Sequence, residues 1–151
     1  IGEDGERPIH LALRSGNAEL LESLLDAGAD PNLPNGSGES AIHLAARLKS
    51  PLSPLLLSYG ADPTLVDSAG NTALHLAATS GDRQLAEKLL GVVEVRNSAG
   101  KSALDLAIES GQLEIAIALR ATGASPSTKQ WDGDPLHWAI YQQDYSRIEE
   151  L

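Results

Sequence analysis

The stretch Thr72-Ala73-Leu74-His75-Leu76-Ala77 decides how this chain is read, because close copies of it stand on both sides. Upstream lie Arg7-Pro8-Ile9-His10-Leu11-Ala12 and Ser40-Ala41-Ile42-His43-Leu44-Ala45. Downstream lie Ser102-Ala103-Leu104-Asp105-Leu106-Ala107 and Asp134-Pro135-Leu136-His137-Trp138-Ala139. Their fourth positions, 10, 43, 75, 105 and 137, are separated by steps of 33, 32, 30 and 32. A second motif trails the first as Gly28-Ala29-Asp30-Pro31-Asn32, Gly60-Ala61-Asp62-Pro63-Thr64 and Gly123-Ala124-Ser125-Pro126-Ser127. Five blocks in one register mark a repeat architecture, and such self-similarity outranks any local reading.

Each block reads as one structural unit. It opens on an N-cap type of residue, Ser, Thr or Asp, followed by Pro or Ala at the first helical position. His or Asp then falls at the third helical position, where a side-chain acceptor reaches back to the cap as in a capping box. Ser40, Thr72, Ser102, His10, His43, His75, Asp105 and His137 are therefore helix-start residues. The short helix they open ends near Gly16, Gly81 or Gly111. A second helix carries apolar residues at helical spacing, such as Leu20, Leu21, Leu24 and Leu25, or Leu85, Ala86, Leu89 and Leu90. It stops at Gly28, Gly60 or Gly123, with Pro three residues on. The polar stretches Asn35-Gly36-Ser37-Gly38 and Asp67-Ser68-Ala69-Gly70 have hairpin-turn chemistry.

Composition agrees. The 151 residues are 42% hydrophobic but only 3% aromatic, so the core is built from Leu, Ile, Val and Ala. Leu and Ala favour closely packed helices and make a poor palette for a sheet. The absence of cysteine excludes disulfides, thiolate metal sites and thiol nucleophiles. A formal charge of −10 argues against sequence-independent nucleic-acid binding, which needs clustered Lys and Arg. No apolar run reaches the ~20 residues of a membrane span, so no direct membrane insertion is expected, and an intracellular location, cytoplasmic or nuclear, is.

On these motifs the chain resembles ankyrin-repeat proteins, whose unit is a β-turn plus two antiparallel helices with a T-P-L-H-x-A signature. The resemblance covers residues 1–151 as a single domain, with repeats at 1–33, 34–65, 66–97, 98–128 and a truncated 129–151. It implies an all-α solenoid of helix-turn-helix units joined by β-hairpin loops. It also implies a concave face made by the first helices and hairpin tips, and a usual role in binding other proteins.

Several blocks depart from the pattern. Arg7 replaces the first cap, which weakens that helix start. Lys49-Ser50-Pro51-Leu52-Ser53-Pro54 stands where a Gly turn and a helix start belong, and Pro54 is expected to shorten or displace the second helix there. Gly91-Val92-Val93-Glu94-Val95 has neither Asp nor Pro, which predicts a clipped second helix or hairpin. Asp105 replaces His yet can still accept from the cap backbone. Arg120 takes an apolar slot and is expected to snorkel outward. Block five stops inside its predicted second helix, without the finished cap a repeat array needs, so the chain reads as an excerpt of a longer protein.

No chemical constellation stands apart from the repeat. Gly36-Ser37-Gly38-Glu39-Ser40-Ala41 matches G-x-G-x-x-A, but no βαβ unit contains it. Gly100-Lys101-Ser102 resembles the end of a phosphate-binding loop, but Val95 stands where its earlier glycine is required. The four histidines share one slot, so neighbours lie one repeat apart, about 10 Å, whereas zinc holds its ligands at about 2 Å. No metal site and no cofactor is expected. Asn35-Gly36-Ser37 is a formal glycosylation sequon in a turn where Asn-Gly is favoured anyway. The serines and carboxylates form no triad or acid–base pair, so no enzymatic activity is expected.

What varies between repeats at exposed slots can specify a partner. Four places after the His or Asp slot stand Arg14, Arg47, Thr79, Glu109 and Tyr141; Leu48 follows Arg47. The family geometry turns these into the groove, and the tips add Asn35, Asp67, Ser68, Asn97, Ser98, Gln130 and Trp131. Interface hot spots favour Trp, Tyr and Arg, which singles out Trp131, Tyr141, Arg14 and Arg47. Trp131 reads equally well as a side chain packed on its own hairpin, and Trp138 as core. The function expected is a non-catalytic, monomeric protein-interaction module. The alternative is a targeting or regulatory arm of a larger enzyme or membrane protein, with a small-molecule sensor as a third class. The acidic balance suits a basic partner segment, though solubility accounts for it equally well.

Overall fold

The computed structural model describes residues 5–92 and 95–124, which form eight α-helices in four consecutive pairs. They are α1 (Pro8–Ser15) and α2 (Ala18–Asp26), α3 (Ala41–Leu48) and α4 (Ser53–Ser58), α5 (Ala73–Ser80) and α6 (Arg83–Leu89), and α7 (Ala103–Glu109) and α8 (Leu113–Ala121). Gln130, Trp131, His137, Trp138 and Tyr141 lie outside the described residues.

The first helices stack in a row, α1 on α3, α3 on α5 and α5 on α7, and each also packs on its own second helix. What lets them approach is alanine: Ala12, Ala45, Ala46, Ala77, Ala78 and Ala107 are fully buried, and small side chains shorten the distance between helix axes. Both rows add large groups to the same continuous core, Ile42, Leu44, Leu104 and Ile108 from the first helices and Leu21, Leu56, Leu85, Leu89 and Ile115 from the second.

The tips between pairs are β-turns, with no strand among the described residues. Each tip is closed by two backbone bonds: Asn35 N–H to Glu39 O and Gly38 N–H to Asn35 O, then Asp67 with Asn71 and Gly70, then Asn97 with Lys101 and Gly100. Two bonds close a turn, but a strand ladder needs further pairs beyond them. Successive tips nearly touch. A Cβ on Gly70 would lie 2.8 Å from the Ser98 backbone nitrogen, which donates to Ala69 O at 3.0 Å.

Both irregular blocks are visible. In the second pair, Pro54 sits within the first two helical positions and opens α4 instead of breaking it, because a missing N–H is harmless there. The start is displaced past Ser50, and α4 keeps only 6 residues against 9 in α2. In the third pair, α6 is 7 residues long and ends where Leu90 turns to an extended conformation. Arg120 is half-buried in the last turn of α8.

The first pair has an open outer face. Leu20 is exposed, whereas Leu85 and Ile115, each likewise three residues past its helix cap, are buried. Leu11 is 53% exposed, while Leu44 in the equivalent slot is 0%. In the later repeats a preceding helix pair covers these slots, and no described helix precedes α1.

Lys49 ends α3 with φ 51° and ψ 45°, and it is the one non-glycine residue at positive φ among those described. Gly16 and Gly81 do the same work for α1 and α5. A Cβ in this left-handed region costs roughly 1–2 kcal/mol, part of which glycine returns as unfolded-state entropy. Lys49→Gly is expected to stabilise the protein by about 0.5–1 kcal/mol, read as a higher urea midpoint at unchanged slope.

Candidate functional site

The site is positioned by how each first helix begins. Ser40 and Thr72 each form a capping box with the histidine three residues on. The Thr72 backbone N–H points at His75 Nδ1 (3.2 Å), and its hydroxyl lies 2.9 Å from the same nitrogen. Ser40 and His43 repeat this at 3.3 and 2.8 Å. Since Nδ1 accepts, the ring proton belongs on Nε2. That nitrogen donates to carbonyls of the following tip: His43 to Leu65 O and Asn71 O, His75 to Lys101 O. Each imidazole thus starts its own helix and grips the next repeat.

The fourth and first blocks vary the device. Asp105 Oδ2 accepts from the Ser102 backbone N–H at 2.7 Å, and the Ser102 hydroxyl in turn accepts from Asp105 N–H. In the first block Arg7 has no hydroxyl to offer. His10 still reaches Glu39 O through Nε2 at 3.0 Å, but its Nδ1 is buried without a partner. Burial is the main influence on His10 and His75 and holds both below the ordinary histidine pKa, against a smaller opposing pull from the carbonyls of Glu39 and Lys101.

The helix starts aim the next turn outward, and there the structure reveals pairs that sequence reasoning missed. Arg14 Nε donates to Glu6 at 2.7 Å, Arg47 Nη2 to Glu39 at 2.8 Å, and Lys101 Nζ to Glu109 at 2.6 Å. Each pair joins the residue just before a helix cap to one eight places later. Opposite charges at that spacing (6 and 14, 39 and 47, 101 and 109) were the available signal. The third repeat has Asn71 and Thr79 in these slots: Asn71 Nδ2 donates to Asp67, and Thr79 donates to His75 O. Leu48, 42% exposed, stands beside Arg47. Arg14, Arg47, Thr79 and Glu109 therefore form one exposed row along the first helices, which the next turn of the stack does not bury.

The tips are organised differently. The Asp67 side chain faces its own turn: Oδ1 accepts from the backbone N–H groups of Ala69 and Asn71, and Oδ2 from Asn71 Nδ2. Asn35 and Asn97 hold their turns in the same way, and the sequon asparagine Asn35 is buried. Of the described tip residues singled out from the sequence, Ser68 and Ser98 are the exposed ones. Among the described residues, no group of three or more His, Asp or Glu side chains is gathered closely enough to hold a metal ion.

A family model described as ankyrin repeats (3 copies) matches residues 1–67 and 42–130. The chain belongs to the ankyrin-repeat family. Ankyrin repeats are protein-interaction modules, and these helix pairs are of that kind. Over 46 residues, 30% of this chain, it is 42% identical to the Notch-regulated ankyrin repeat-containing protein of Homo sapiens, of which that stretch covers 40%. Over 44 residues, 29% of this chain, it is 46% identical to Palmitoyltransferase ZDHHC13 of Homo sapiens, covering 7% of it. The matched stretches thus span less than half of either relative. Among the described residues no helix is long and apolar enough to cross a membrane.

Two outcomes follow from the ankyrin helix starts. Arg7→Ser supplies the hydroxyl that His10 Nδ1 lacks, at the loss of an exposed bond from Arg7 Nε to Pro34 O. It is expected to raise stability by about 1 kcal/mol, measured by urea unfolding. The second concerns pH. With folded-state values of His10 and His75 depressed, the unfolded chain binds more protons once the pH drops below about 6.5. Stability is full above that pH and falls as pH drops towards the folded values. The urea midpoint is expected to decline between pH 7.5 and 5.5, and His75→Gln to flatten that decline while lowering the plateau.

Proposed function

We propose that this ankyrin-repeat chain binds a segment of another protein along the groove lined by Arg14, Arg47, Leu48, Thr79 and Glu109. The observation that carries the reading is a contrast within one register. The capping residues and core alanines recur from repeat to repeat, whereas the exposed slot on the same helices changes from Arg to Thr to Glu. Nothing in the packing of the stack calls for that variation, so it is free to specify a partner. Side chains held by the scaffold lose little freedom on binding, which favours affinity. The module itself is non-catalytic and monomeric in this reading, and it works inside the cell. Tip residues contribute through Ser68 and Ser98, while Asp67 supports the turn behind them.

A second reading has a specific observation behind it. The stretch similar to Palmitoyltransferase ZDHHC13 covers only 7% of that protein, so these repeats would serve as the targeting or regulatory arm of a larger enzyme or membrane protein. Sequencing the full transcript separates the two readings: a reading frame without any catalytic or membrane-spanning region rejects the second.

Thr79 provides the test of the groove. It lies at the centre of the row and donates only to its own helix, so Thr79→Arg plugs the groove without touching the core. Partner recovery in a cross-linking pull-down is expected to fall at least about tenfold, which corresponds to ~1.4 kcal/mol, with an unchanged melting temperature. Glu22→Arg, on the exposed side of α2, serves as the control that retains recovery. Undiminished recovery with Thr79→Arg rejects the groove.

A further inference from the structure

The groove carries a charge order that the overall acidity of the chain conceals. In the first two repeats the carboxylate of each pair is largely covered and the guanidinium is not: Glu6 and Glu39 side chains are 14% and 11% exposed, against 46% and 48% for Arg14 and Arg47. Glu39 is held further by its place in the tip, where Asn35 Nδ2 donates to its carboxylate Oε2 and its own backbone N–H donates to Asn35 Oδ1. Arg14 donates to Glu6 through Nε, and Arg47 to Glu39 through Nη2. Each spends one of its five N–H donors on the pair and stays nearly half exposed. The middle of the row is neutral, with the Thr79 and Ser80 hydroxyls spent on carbonyls. At the fourth repeat the helix slot is reversed, to Glu109 bonded by Lys101.

From this order we infer that the groove selects an extended partner segment reading acid, acid, then base. Two carboxylates meet Arg14 and Arg47, and a cationic side chain meets Glu109. Adjacent slots are one repeat apart, about 10 Å, which an extended chain spans in about three residues. The carboxylates are thus about three residues apart, and the base follows about six residues beyond the second. Leu48 offers an apolar contact beside the second carboxylate. Bidentate geometry favours a carboxylate over other acceptors at a pre-positioned guanidinium. Part of the acidic excess lies on the far side of the first pair, on Glu19, Glu22 and Asp26 of α2, whereas Glu87 and Glu114 are paired with Arg83. A basic segment is therefore not what the groove itself favours.

This inference rests on the groove reading, and one selection separates the two. A display library of randomised fifteen-residue segments is selected against the whole 151-residue chain, against the Arg14→Gln/Arg47→Gln variant and against Thr79→Arg, each checked for an unchanged melting curve. Enrichment of Asp or Glu pairs three residues apart, with Lys or Arg beyond, is expected on the parent. That preference disappears on the double glutamine variant, and individual selected peptides bind it about tenfold more weakly by fluorescence anisotropy. Should the glutamines unfold the chain, Arg14→Lys/Arg47→Lys keeps the charge without the fork and is expected to weaken binding to a smaller extent. Basic or uncharged consensus segments overturn the charge order, as does an acid preference that survives the glutamine variant while Thr79→Arg abolishes binding. Segments that bind Thr79→Arg as well as the parent, or no enrichment at all, overturn the groove itself.

Discussion

The described stack depends on one bond, the Nε2–H of a buried histidine donating to a carbonyl of the following tip. It links His10 to Glu39, His43 to Leu65 and Asn71, and His75 to Lys101. In a modular array each unit rests only on its neighbours, so stability resides in unit-to-unit interfaces. Apolar contact supplies most of the interface energy but is not directional. In His43 and His75 the imidazole supplies direction, because its other nitrogen is already committed to the cap of its own helix. At the α3 and α5 starts, the capping box holds the ring in the orientation that also engages the next repeat. Burial holds His10 and His75 below the ordinary histidine pKa, which ties their share of the cohesion to proton concentration.

That constraint also places the exposed row. Once the third helical residue is pinned, the residue four places later stands exposed, next to the residue that precedes the cap. Glu6 with Arg14, Glu39 with Arg47 and Lys101 with Glu109 are the result. Exposed ion pairs of this kind add little to stability, typically 0–1 kcal/mol. Their importance lies in order: they hold long side chains still at regular intervals along a surface that the repeat leaves open.

Much of this was legible from residues alone. Helix pairing, the capping role of Ser40 with His43 and of Thr72 with His75, and the substitution of Asp105 all follow from local chemistry, which acts over three or four residues. The shortened α4 was equally legible from Pro54, although its start at that proline required the backbone. The tips were less transparent. Asn35, Asp67 and Asn97 read as exposed turn residues, but each folds its side chain back onto two backbone N–H groups. Turn propensity cannot distinguish a residue that decorates a turn from one that holds it.

What the linear order of residues determined was the unit: a capped helix, a second apolar helix and a polar turn, repeated in register. Those features arise from interactions between residues close in sequence, so a pattern is enough to state them. What only the tertiary structure decided was which ends of those units meet. The histidine-to-tip bonds span 22–29 residues, and the open slots of Leu11 and Leu20 depend on whether a neighbouring pair covers them. The exposed ion pairs join residues eight apart only because a turn and a helix start bring them to one face. Such contacts are set by how units stack in space, and spacing along the chain does not encode that directly.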